Sequence, residues 1–141
     1  MLADIAERCN AIEESYEFML AYAAQGLPTD SGSQSGGQIR GYLGRAANAI
    51  RGLADSCEKA LQQESREPAE RYHAFFQVLL RDASDSLAAV ELVLAQPAIS
   101  SQLIDNLNAS IHLRALLTDL FLLAEMAKPQ LTPAKPAATS S

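Results

Sequence analysis

At 141 residues, 48% of them apolar, the chain has the size and composition of one globular domain and can bury a single core, which excludes a wholly disordered protein. A net charge of −6, from 11 Lys and Arg against 17 Asp and Glu, argues against nucleic acid as a partner, because phosphate binding needs concentrated basic residues and the mildly basic stretch from Arg40 to Arg51 contains no Lys/Arg run. No apolar run reaches the ~18 residues of a membrane span, Met1-Leu2-Ala3-Asp4 lacks the basic start of a secretory signal, and two cysteines make no disulfide scaffold; a cytoplasmic location with no membrane contact is therefore expected.

The first predicted helix covers residues 2–25. Leu2, Ile5, Cys9, Ile12, Tyr16, Met19 and Ala23 alternate in steps of three and four, the spacing of a narrow seam against a partner helix. Asp4, Glu7, Glu13, Glu14 and Glu17 fall off that stripe. Gly26 before Leu27-Pro28 is a stop signal, since glycine takes the left-handed conformation that ends a helix. Residues 29–37 (TDSGSQSGG) have no apolar member and read as a flexible linker.

The second predicted helix, residues 38–64, repeats the seam with Ile39, Leu43, Ala46, Ile50, Leu53, Cys57 and Ala60. The third starts at Pro68, well placed where a first-turn N–H is not needed, and runs to residue 96. Its stripe is Tyr72, Phe76, Leu79, Ala83, Leu87, Val90 and Leu94, broadened by Phe75, Val78, Leu80, Leu92 and Val93. The fourth begins at Ser100 or Ser101, either of which can cap it, and runs to residue 127. From Leu113 to Met126 it is apolar nearly all round, which marks a central or interface helix. Four helices of similar length, roughly 36 to 44 Å at 1.5 Å per residue, predict an all-α protein: a four-helix, up-down-up-down antiparallel bundle over residues 1–128, with a disordered Pro/Ala/Ser/Thr tail at 129–141.

Candidate chemistry is sparse. Glu70-x-x-His73 is half of a di-iron bundle motif, but His112 has no glutamate three residues before it, so these three are weak metal candidates and no metal or other cofactor is expected. Neither histidine has the surroundings of a phosphorelay site. Residues 32–37 lack the Gly-Lys-Ser/Thr ending of a phosphate loop. Cys9 and Cys57 sit on core stripes and read as small buried residues. Gly41, Gly44 and Gly52 are more informative: each interior glycine costs a helix about 0.5–1 kcal/mol relative to alanine. Together they form a flat strip away from the seam, flanked by Arg40, Arg45 and Arg51, and this strip is the candidate binding surface. Pairings Glu17–Arg45 and Glu13–Arg51 are expected to set the first two helices against each other.

No catalytic motif is present, and the leading expectation is a non-enzymatic bundle that acts through protein–protein interaction, as an adaptor or small chaperone, with a homodimer formed through the third and fourth predicted helices. The alternative is a bundle binding a small molecule or metal between its helices, with Glu70, His73 and His112 as the residues concerned.

Overall fold

The computed structural model describes residues 2–63 and 68–127, and every regular element among them is α-helical. The predicted tail at 129–141 lies outside the described residues, as does most of the break before Pro68. Six helical segments follow one another: α1 (Leu2–Ala23), α2 (Gly36–Arg51), α3 (Leu53–Gln63), α4 (Ala69–Leu94), α5 (Ser101–Ala109) and α6 (His112–Ala127). The expectation of four continuous helices is thus corrected at two places. The second predicted helix breaks at Gly52 and the fourth at Ser110 and Ile111. No single described helix is long and apolar enough to cross a membrane.

The seams fold as their spacing predicts. Ile5, Cys9, Ile12 and Met19 of α1 are buried, and so is every predicted seam residue from Ile39 to Ala60. They meet Phe76, Leu79, Ala83 and Val90 of α4 and Leu113, Leu116, Leu117, Leu120 and Leu123 of α6 in one apolar core. α1 packs chiefly on α2 and α5, and α4 on α6 and α2. Tyr22, off the predicted stripe, is fully buried as well.

Both breaks have local causes. At Gly52 (φ −86°, ψ −2°) the ψ angle leaves the helical range. The missing side chain makes room for the Arg8 guanidinium, which lies where a Cβ would stand. Arg8 donates to the carbonyls of Ala49 (3.1 Å) and Asn48 (3.4 Å), and its Nε reaches Asp4 and Ser56, each at 3.2 Å. Ser56 in turn donates to the Asp4 carboxylate. A cation on the last carbonyls of α2 suits the negative end of that helix. At the second break Ile111 takes φ +62°, a left-handed conformation that costs a β-branched residue roughly 1–2 kcal/mol. Ser110 folds its hydroxyl back on the Leu107 carbonyl (2.6 Å), the helix stops, and α6 departs at 51° from α5.

The segment read as a flexible linker is a fitted loop, which corrects that expectation. Asp30 anchors it: Oδ1 accepts the Ile99 N–H (2.8 Å) and Oδ2 accepts Arg40 Nε (2.9 Å). Arg40 also caps α4, donating to the carbonyls of Leu94 (3.0 Å) and Gln96 (2.8 Å). Tyr22 Oη donates to the Ile99 carbonyl (2.7 Å), and Ser101 Oγ donates to the Tyr22 carbonyl (2.6 Å) while accepting from Leu27 N–H (2.9 Å). Gly36 is required for its size, because a Cβ there would run into the Asp30 carbonyl. Gly26 takes the expected left-handed conformation (φ +69°), and Ser100 is the α5 cap, accepting from Leu103 N–H at 3.0 Å.

Candidate functional site

The structure spreads the predicted binding residues over three different tasks. Gly41 and Gly44 open to solvent, and a methyl group on either would meet nothing within 4 Å, whereas the place above Gly52 is filled by Arg8. Arg40 belongs to the Asp30 clamp. Arg45 pairs with Glu14 (2.7 Å) and lies 5.1 Å above the Tyr42 ring, which stacks on Phe18 at 4.2 Å. Arg51 pairs with Glu91 of α4 (2.7 Å) and with Asn48 (2.6 Å). The expected Glu17–Arg45 and Glu13–Arg51 pairs are therefore replaced: the first shifts to Glu14, and the second is captured by α4. All three arginines bind within the chain and do not converge on the glycines.

Glu70 and His73 are exposed on the first turns of α4, and His112 is half-buried at the start of α6. Among the described residues no group of three His, Cys, Asp or Glu is arranged to hold a metal ion. Cys9 and Cys57 are free and buried. Burial, reinforced by Glu13, raises the Cys9 thiol to about 11, and burial raises Cys57 to about 12. Both stay protonated at neutral pH, the opposite of what a nucleophilic or redox thiol needs.

A surface that the fold leaves unfinished lies on α6. Its outward side carries Phe121 and Leu122, 46% and 49% exposed, although its inward side is fully covered. Phe121 stands at the edge of a groove of about 330 Å³ between α6 and the start of α1, walled mainly by Ile5, Ala6, Cys9, Leu120 and Ala124. At the α5–α6 break a second groove, about 440 Å³, opens beneath Leu20 and the strained Ile111, 48% and 61% exposed, with Tyr16, Asp105 and Arg114 on its walls. The apolar pattern of the fourth predicted helix pointed to this region. The strained backbone did not show, since neither Gly nor Pro marks residue 111.

The same half of the molecule holds polar groups without partners. Among the described residues Ser86 Oγ on α4, Asn108 Oδ1 on α5 and Asp119 Oδ2 on α6 are buried and accept or donate no hydrogen bond. Asp119 meets Asp82 of α4, carboxyl to carboxyl. A second carboxyl so close disfavours the ionised form of the first. Burial, then the bond to Asp82 and its charge, push Asp119 up to about 7. Nothing in the spacing of Asp82 and Asp119 announced this pairing, which depends on how α4 meets α6. Compared with known proteins, the chain matches no family model, no curated protein and no solved structure.

Proposed function

We propose that this is a non-enzymatic helical protein that works by protein–protein contact, as an adaptor or small chaperone, using the outward side of α6 and the groove it forms with α1, with self-association through the α4–α6 half of the molecule. The observation that carries the reading is the exposure of Phe121 at the lip of an apolar groove, with Leu122, next in the chain, exposed as well. Single exposed apolar residues are ordinary on a protein surface, but large ones clustered beside a groove mark contact sites, because the hydrophobic effect favours covering them. The groove walls bring shape, and its few polar neighbours keep the desolvation cost low.

For the architecture we read the six segments as a four-column antiparallel bundle, with α2–α3 and α5–α6 each forming one bent column. In support, Arg8 reaches Ala49 while Glu14 reaches Arg45, so numbering rises along α1 as it falls along α2. The same opposition links α1 to the last column, where Tyr22 meets Ser101, Met19 meets Asn108 and Ile5 shares a groove with Leu123.

Size-exclusion chromatography with light scattering over a concentration series tests the reading. The chain is expected to associate, and Phe121→Asp to abolish association while leaving the helical circular dichroism intact. A wild-type chain that stays monomeric throughout and binds no apolar dye at this surface sinks the proposal.

A further inference from the structure

The outward side of α6 is a regular stripe. Arg114, Thr118, Phe121 and Glu125 are all exposed and recur at steps of four, three and four, the a/d spacing by which one helix lies along another, with the exposed Leu122 widening the stripe. The stripe lies opposite the buried Leu113, Leu116 and Leu120 and spans about 17 Å at 1.5 Å per residue. Its charges are placed at the two ends. Arg114 stands one turn into the helix and makes no ion pair among the described residues. Glu125 stands near the other end and is already engaged within its own chain.

From this pattern, and resting on the contact function proposed above, we infer that the occupant of this face is a second copy of the chain, with the two α6 helices antiparallel about a twofold axis and Arg114 of each copy opposite Glu125 of the other. A twofold contact must be self-complementary: whatever residue one copy offers, the other must offer its match at the mirrored place. The antiparallel register that sets Arg114 against Glu125 also sets Thr118 against Phe121, so that each ring lies over a small side chain. Both pairings occur twice. A parallel register fails on the same residues, because it stacks Arg114 on Arg114 and Glu125 on Glu125, and like charges brought together repel. Exposed ion pairs contribute little energy. Phe121, with Leu122 beside it, supplies the attraction, and the two Arg–Glu pairs select the direction.

The experiment is a charge-reversal cycle on the full chain, read by sedimentation or light scattering at low salt. Arg114→Glu and Glu125→Arg each set like charges opposite one another and are expected to weaken the dimer about tenfold, equivalent to ~1.4 kcal/mol. The double reversal restores opposite charges and is expected to return the affinity to within about threefold of wild type, the signature of a direct pair in a double-mutant cycle. Circular dichroism of each variant checks that the exposed substitutions leave the fold intact. A dimer that Phe121→Asp abolishes but that ignores both single reversals, or that the double reversal fails to restore, overturns the antiparallel register while leaving the contact function standing. A chain monomeric in every form overturns both.

Discussion

The start of α5 and the stretch from the α5–α6 break onward are built on opposite principles. Where α5 begins, Tyr22, Asp30, Arg40 and Ser101 tie α1, the 24–35 loop and the end of α4 together, and each of these side chains has its hydrogen-bond partners. From the end of α5 into α6 the chain carries an unpartnered Asn108 oxygen, a strained Ile111, an Asp119 carboxyl beside that of Asp82 and a large exposed phenyl ring. The first region stabilises the fold. The second holds features that each cost stability, and strain of this kind concentrates where a protein does something other than stay folded.

The sharpest way to break that contrast is at Asp30. Asp30→Ala removes the acceptor of the Ile99 N–H and leaves Arg40 with one less partner, so unfolding in urea is expected to show a loss of about 2–3 kcal/mol, the range of charged hydrogen bonds. A loss below ~0.5 kcal/mol would mean that the loop is a passive tether after all. Tyr22→Phe, which deletes one buried hydroxyl, is expected to cost less, about 1 kcal/mol.

Acid and base should separate the two regions further. The Ile99 N–H, then Arg40, hold the Asp30 carboxyl below its ordinary value, as Ser56 and Arg8 do for Asp4. Their stabilisation is present above pH ~4 and is lost as pH falls through their lowered values. Asp119 runs the other way. Its folded value near 7 lies above the unfolded 3.8, so the native state binds the extra proton, and stability contributed there is present at pH 4 and lost as pH rises to about 7. Thermal melts are expected to peak on the acid side of neutrality. Asp119→Asn cannot ionise and its amide can donate to Asp82; it should flatten the limb between pH 4 and 7 and raise stability at pH 8 by about 1 kcal/mol. An unchanged limb in that variant would show that Asp119 does not titrate across this range.

What the amino-acid sequence revealed, and what it hid, divides along range. The seam from Ile39 to Ala60, the glycine stop at Gly26, the Ser100 cap and the apolar excess of α6 all express local periodicity or local backbone preference, and all were legible. The Asp30 anchor joins residues 69 positions apart, so a Ser/Gly-rich composition disguised an ordered loop. The Arg51–Glu91 pair and the Asp82–Asp119 contact likewise exist only once helices distant in sequence are packed. The break at Ile111 was hidden for another reason: an isoleucine is the last residue that propensity assigns to a left-handed turn, and tertiary packing overrides propensity there.

The smallest expected effects come from Gly44 of α2 and Gly52 just after it, where one substitution made at two positions should act with opposite sign. At Gly44 an added methyl meets nothing within 4 Å. Gly44→Ala then only removes backbone freedom from the unfolded chain and should stabilise by about 0.5–1 kcal/mol. At Gly52 the same methyl enters the space of the Arg8 guanidinium, which must leave the carbonyls of Asn48 and Ala49 that it caps. Arg8 is a flexible side chain and can withdraw, so the penalty is bounded by the cap it gives up, about 1 kcal/mol. The double variant Arg8→Ala, Gly52→Ala decides the cause. If Arg8 is what the methyl displaces, the alanine at residue 52 becomes neutral or favourable once Arg8 is gone. A penalty that persists would instead belong to the backbone at the α2–α3 break.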